Sequence, residues 1–124
     1  MKKQITLPGL IKKAQKVFNA FIRERDKDRS CITCGKYKIE HACHFYSAGQ
    51  YPALRFNTDN VHGGCLSCNY FKHGELHFYR DHLEKRIGKD RLALLDSTAT
   101  RNRVRKWSRV DLGLIISIYS NGKK

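Results

Sequence analysis

The chain has 124 residues, 25 Lys plus Arg against 11 Asp plus Glu, and a formal net charge of +14. That length fits one domain whose modest core would profit from a metal staple, and the charge calls for a polyanionic partner, of which nucleic acid is the commonest. No stretch approaches the ~20 apolar residues of a spanning helix, and no long apolar run follows the basic Met1-Lys2-Lys3, so neither a membrane nor a secretory role is expected.

Pro8-Gly9 opens the first clear element. Leu10, Ile11, Ala14, Val17, Phe18, Phe21 and Ile22 recur at helical spacing, which predicts an N-terminal helix over 10–29 with Phe18 and Phe21 in the core. Lys12, Lys13, Lys16 and Arg23 lie off that stripe as candidate DNA contacts, and Arg25, Lys27 and Arg29 are comparable. Cys31-Ile32-Thr33-Cys34-Gly35 reads as a zinc knuckle, with Gly35 permitting the tight turn. Residues 37–57 carry Tyr37, Ile39, Phe45, Tyr46, Tyr51 and Phe56, punctuated by Gly49 and Pro52, and predict a β-hairpin with an irregular loop. Asp59-Asn60 and Gly63-Gly64 read as a second loop leading into Cys65.

Beyond Cys68, Leu76, Tyr79, Leu83 and Ile87 predict a helix that Gly88 stops. Asp90 is placed as the cap of a short helix containing Leu92, Leu94 and Leu95. Residues 96–107 read as a basic connection in which Arg101, Arg103, Arg105 and Lys106 are further candidate phosphate contacts. Ser108 and Asp111 fit a capping box for a last helix through Leu112, Ile115, Ile116 and Tyr119, ending at Asn121-Gly122. The expected class is α+β in a single domain over 1–124: the first helix, a zinc-stapled ββα core over 31–75, and a helical, basic part over 76–124.

Two CxxC units, Cys31/Cys34 and Cys65/Cys68, are what one tetrahedral structural zinc requires. The fifth cysteine, Cys43, reads as a small buried residue, and two CxxC pairs with one free thiol suit a reducing cytoplasm. Between and just after the pairs stand His41, His44, Asn60, Asn69 and His73. On a helix running from residue 68, Asn69 and His73 share one face. A strand histidine opposite such a face forms a ββα-metal arrangement competent for phosphodiester hydrolysis: a neutral imidazole takes a proton from water and a divalent ion offsets the developing charge. The zinc would then be structural, and a weakly held Mg²⁺ or Mn²⁺ catalytic. His62, His77 and His82 read as surface or helix-face residues.

At His41-Ala-Cys-His44, Asp59-Asn60-Val61 and Cys65-Leu-Ser-Cys68-Asn69 the chain resembles the His-Me finger (HNH) nucleases. More narrowly it looks like the NinG (Rap) recombination endonucleases of lambdoid phages, through LIKKAQKVFNAFIRERDKDRSCITCGK, HACHFYSAGQYPALRFNTDNVHGGCLSCN and YRDHLEKRIGKDRLALLD. The likeness runs from about Leu10 through Asp96, and its zinc-plus-asparagine layout is also similar to phage endonuclease VII. It implies a structure-selective endonuclease for branched, Holliday-junction-like DNA, acting in the bacterial host cytoplasm if phage or prophage encoded. His44 would be the general base, Asn60 would pin the loop around it, Asn69 would be a catalytic-metal ligand, and the four cysteines would hold zinc. Many HNH nucleases carry an acidic or histidine ligand immediately before the base; here Cys43 stands there, and His41, on the same side of a strand, is the nearest substitute, ahead of Glu40 and Asp59. The alternatives are a non-catalytic zinc-dependent nucleic-acid-binding module and an HNH nuclease acting on linear duplex. A symmetric junction is most simply cut by a homodimer.

Overall fold

A computed structural model describes residues 4–70 and 76–121. The first helix, α1, spans Leu7–Arg25. It starts ahead of the expected Leu10 because Thr6 caps it, its hydroxyl accepting from the Gly9 N–H at 3.1 Å, with proline in the first turn. Ala14, Phe18 and Ile22 are its buried stripe.

Strand β1 (His41–His44) pairs antiparallel with β2 (Val61–Gly64), in the register His41↔Gly64 to His44↔Val61. The second strand therefore lies where Gly63-Gly64 reads as loop. Glycine is required at both strand positions because a Cβ on Gly63 would stand 2.5 Å from Ile39, and one on Gly64 2.6 Å from the Cys43 sulfur. The intervening residues 45–60 form a long loop with a single 3₁₀ turn at Pro52–Leu54.

Among the described residues four more helices follow: α2 (Leu66–Tyr70), α3 (Leu76–Ile87), α4 (Lys89–Arg101) and α5 (Arg109–Asn121). Gly88, at φ +88°, turns α3 into α4 and is itself the N-cap of α4, so Asp90 sits inside the helix rather than at its cap. Residues 96–101, expected as connection, complete α4. Leu92, Leu95 and Ala99 give it a continuous buried edge, and the Asp96 carboxylate accepts from Tyr46 at 2.5 Å and Arg80 at 2.6 Å. The capping box before α5 forms as read, Ser108 Oγ accepting from Asp111 N and Asp111 Oδ2 from Ser108 N, both at 3.1 Å.

The small sheet lies between two apolar clusters. One joins Phe18 and Ile22 of α1 to Phe56, Val61 and Leu112, with Phe21 and Trp107 half-buried against it. The other joins Ile32, Cys43 and Leu54 to Tyr79, Leu83, Leu92 and Leu95 of α3 and α4. The result is a mixed architecture of helices around one small antiparallel sheet. No helix among the described residues is long and apolar enough to cross a membrane.

Candidate functional site

The two CxxC units close on one another. The sulfurs of Cys31, Cys34, Cys65 and Cys68 all lie within 4.8 Å of each other, with Cys34 and Cys65 3.9 Å apart. Sulfurs around a tetrahedral zinc, with Zn–S of ~2.3 Å, stand ~3.8 Å apart, so the cluster could hold a metal such as zinc. Gly35, at φ +69°, makes the turn after the first pair, and backbone N–H groups of Thr33 and Cys68 point at the Cys31 and Cys65 sulfurs at 3.4 and 3.5 Å. Burial alone would raise the Cys34 thiol, but the N–H groups of Lys36 and Tyr37 and the neighbouring sulfurs bring it down to about 7. Burial, then the crowded sulfurs, pushes Cys68 far up, and Cys65 is also raised, by burial first. Ionising all four thiols at this spacing would need a cation to compensate them.

Beside this cluster lies a cleft of about 290 Å³ whose lining includes Thr33, Cys43, His44, Cys68, Asn69 and Tyr79. β1 contributes Cys43 and His44, and α2, which begins directly after Cys65, brings Asn69. The His44 Nε2 lies 3.0 Å from the Arg55 carbonyl. A carbonyl only accepts, so Nε2 carries the hydrogen and Nδ1 keeps the lone pair. Burial holds the His44 pKa below its ordinary value, so the ring is neutral at pH 7. Cys43 is pushed up to about 12 by burial and then by Cys31 and Cys65; as a thiol it donates to Asn69 Oδ1 at 3.4 Å.

Asn60 is wholly buried. Its Oδ1 accepts from Tyr46 N at 2.8 Å, and its Nδ2 donates to the carbonyls of Tyr46 and Leu54 at 2.9 and 3.0 Å. It thereby ties both ends of the 45–60 loop, including the turn that presents the Arg55 carbonyl to His44. Tyr79, a residue that reads only as part of a helical stripe, donates from its hydroxyl to the Cys43 carbonyl at 2.6 Å and fixes β1 from below.

The remaining candidates are more scattered. His41 does not line the cleft, being paired with Gly64 at the far end of β1, and His73 lies outside the described residues. Glu40 accepts from Leu66 N at the start of α2, and Asp59 pairs with Arg91, so both carboxylates are engaged elsewhere. Lys12, Lys13, Lys16 and Arg23 are exposed along α1. Arg101, Arg103, Arg105 and Lys106 are exposed too, but Arg103 stacks over Tyr51 and Arg105 over Trp107, 4.0 Å from the ring centre. Arg25 is bidentate to Asp26 at 2.7 and 2.8 Å, a structural contact rather than a free cation. His62, expected at the surface, is 2% exposed. Its place in β2 opposite Cys43 turns it inward, where burial, and then Arg25, holds its pKa to about 4. His82 is half-buried, bonded to the Ile32 carbonyl at 2.7 Å, whereas His77 is on the exposed face of α3. No local pattern in the sequence marks the Arg55 carbonyl or the burial of His62, because both depend on distant partners.

A family model described as bacteriophage lambda NinG protein matches residues 2–124. The chain is similar to Protein ninG of Escherichia phage lambda, 43% identical over 95 residues, covering 75% of this chain and 47% of that protein. It is also similar to Protein ninG of Salmonella phage P22, 37% identical over 116 residues, covering 92% of this chain and 56% of that one. The chain thus spans about half the length of the curated relatives it matches. No solved structure matches it.

Proposed function

This chain belongs to the NinG family, and we propose that it is a structure-selective, divalent-metal-dependent DNA endonuclease. Its substrates would be branched, Holliday-junction-like recombination intermediates in the cytoplasm of a bacterial host. The observation that carries the reading is His44: a neutral imidazole, oriented through Nε2 by the Arg55 carbonyl, in one cleft with Asn69. Its Nδ1 lone pair would take the proton from water as that water attacks phosphorus. β1, β2 and α2 would be the ββα-metal motif, with the four-thiol zinc site fixing where α2 starts. Asn60 positions the base through the loop; it does not touch the reacting atoms.

Asn69 would hold Mg²⁺ or Mn²⁺ through its carboxamide oxygen, with His41 and His73 the remaining candidates. Such an ion keeps several waters and relies on substrate phosphate oxygens, so one or two protein ligands suffice. When bound, it offsets the charge developing on the phosphoryl and leaving oxygens. The net charge of +14 supports a DNA partner, and pairing of two copies across a symmetric junction is part of the same proposal.

One observation favours a second reading. Among the described residues no carboxylate lines the cleft, and Cys43 occupies the place of a ligand. A zinc-dependent nucleic-acid-binding module without catalysis would need neither.

The test is cleavage of end-labelled four-way junction DNA against linear duplex of matching sequence, in Mg²⁺, Mn²⁺ or EDTA, with wild type and His44→Ala. Metal-dependent incision near the branch, lost in the variant, is expected. Tight binding without incision in any metal would establish the binding module instead, and equal cutting of the duplex would remove the structure selectivity. The log of the cleavage rate should climb with pH to a break below about 6.5, the ordinary histidine value, and then level off, because His44 acts as its neutral form and burial lowers its pKa.

A further inference from the structure

Further along α3 from the cleft, a groove of about 610 Å³ has Arg29, Lys85 and Arg86 in its lining, together with His82 and, among the described residues, no acidic side chain. It adjoins a second hollow of about 350 Å³ that shares Arg29 and Arg86. The carboxylates of that second hollow are already taken: Asp26 by Arg25, bidentate, and Asp59 by Arg91. Arg86 reaches Asp26 only at 4.0 Å, and among the described residues Arg29 and Lys85 have no ion pair.

The arrangement is built, not incidental. His62 and Asp26 are buried, 2% and 1% exposed. The His62 Nε2 faces the Asp59 carbonyl at 2.9 Å and so carries the hydrogen, which leaves Nδ1 to accept from both Arg25 at 3.1 Å and Arg86 at 3.4 Å. A neutral buried imidazole thus anchors Arg86, whose side chain is 19% exposed, at the junction of the two hollows. The Arg86 pKa is lowered, by burial first and then by the charge of Arg29. Two guanidiniums that repel each other, with no uncommitted carboxylate among the described residues of the two linings, are a seat for an anion.

We infer that the groove of Arg29, Lys85 and Arg86 grips the phosphodiester backbone of nucleic acid, as a track separate from the cleft and from the basic residues of α1 and of 101–106. This rests on the reading that DNA is the partner. The spacing suits it: Tyr79, in the cleft lining, and Arg86 are two turns apart on α3 and share a face, about 10 Å along the helix, or roughly three base-pair steps of a duplex strand. One strand engaged at the cleft would meet this track a few nucleotides away.

The experiment is fluorescence anisotropy of labelled four-way junction DNA across a salt series in EDTA, where cleavage plays no part. Arg29→Gln/Lys85→Gln removes two exposed cations without breaking an ion pair. It should weaken binding about tenfold or more at 0.1 M salt and reduce the slope of log K against log salt by about 2, close to 0.9 per lost phosphate contact. Lys36→Gln/Lys38→Gln, with the same charge loss on the exposed loop of the first knuckle, should change the slope by less than half as much. Equal effects of the two pairs, or an unchanged slope in the groove variant, overturn the track while leaving DNA binding in place. No binding by wild type overturns both it and the functional reading. A saturable response of the Arg29 and Arg86 side-chain resonances to inorganic phosphate at constant ionic strength, with DNA affinity equal in both proteins, would make this a small-anion site and also refute it.

Discussion

Gly64→Ala tests how tightly the cysteine cluster, the sheet and the cleft are packed together. A Cβ at that position would stand 2.6 Å from the Cys43 sulfur, while Cys31 Sγ and Cys43 Cβ, at 3.7 and 3.6 Å, would be ordinary contacts. To restore a normal separation of about 3.6 Å, the Cys43 thiol must move by about 1 Å against its bond to Asn69 and the apolar cluster it packs on. Overpacking of this kind costs about 1–3 kcal/mol, from which roughly 0.5–1 kcal/mol is recovered because alanine loses less backbone freedom than glycine in a strand. The net expectation is a destabilisation of up to about 2.5 kcal/mol. In a Cys43→Ala background the clashing atom is gone, and Gly64→Ala should become neutral or slightly stabilising. Urea unfolding of the four proteins of this cycle, at one fixed free-zinc concentration, measures the coupling. Additivity within about 0.5 kcal/mol would refute the packing described here.

Other perturbations probe separate parts of the molecule. Cys65→Ser, or a strong chelator, should unfold or markedly loosen the domain, since metal binding and folding are linked; a melting temperature and zinc content equal to wild type would contradict the cluster's structural role. Asn60→Ala leaves Tyr46 N and the Tyr46 and Leu54 carbonyls without their buried partner, and should cost about 3 kcal/mol by denaturant titration, at roughly 1 kcal/mol for each bond lost; a cost under about 1 kcal/mol would show that the loop is held otherwise. His62 protonates near 6.5 in the unfolded chain but only at about 4 when folded, so its share of stability is full above 6.5 and is lost as pH falls towards 4, on the order of 3 kcal/mol. His62→Asn should therefore flatten the dependence of the urea midpoint on pH between 6.5 and 4; parallel curves for the two proteins would disprove the buried neutral histidine.

Features carried by local spacing were legible in the sequence. The stripe from Leu10 to Ile22, the cysteine pairs, the Ser108–Asp111 box and the helix from Leu76 to Ile87 all depend on neighbours a turn or less away. The second strand was not legible, because the glycines that let Ile39 and Cys43 approach are the same residues that mark a loop. The end of α4 was missed because Asp96 to Arg101 looks polar, while its fixing partners, Tyr46 and Arg80, are remote in the chain. Within the cleft the residue types and their order pointed to His44 and Asn69. The tautomer of His44, however, rests on the carbonyl of Arg55, and a backbone acceptor leaves no trace in composition. Likewise, nothing near His62 announces Asp26 and Arg86.

The pairing of β1 with β2 has a consequence for how the chain acquires its register. With residues 45–60 between the strands, no tight turn dictates which residue meets which. The His41↔Gly64 end of the ladder, however, adjoins the second CxxC pair, because Gly64 immediately precedes Cys65, and the Ile32 N–H of the first knuckle bonds to the Gly63 carbonyl at 3.0 Å. Closing four thiolates on one ion would therefore fasten that end first, shorten the search across the loop, and let pairing zip towards His44 and Val61. A slip of one residue would exchange the faces of Cys43 and His44 and carry the imidazole away from the Arg55 carbonyl. On this view a metal held by the four cysteines would act as a spelling check on the hairpin.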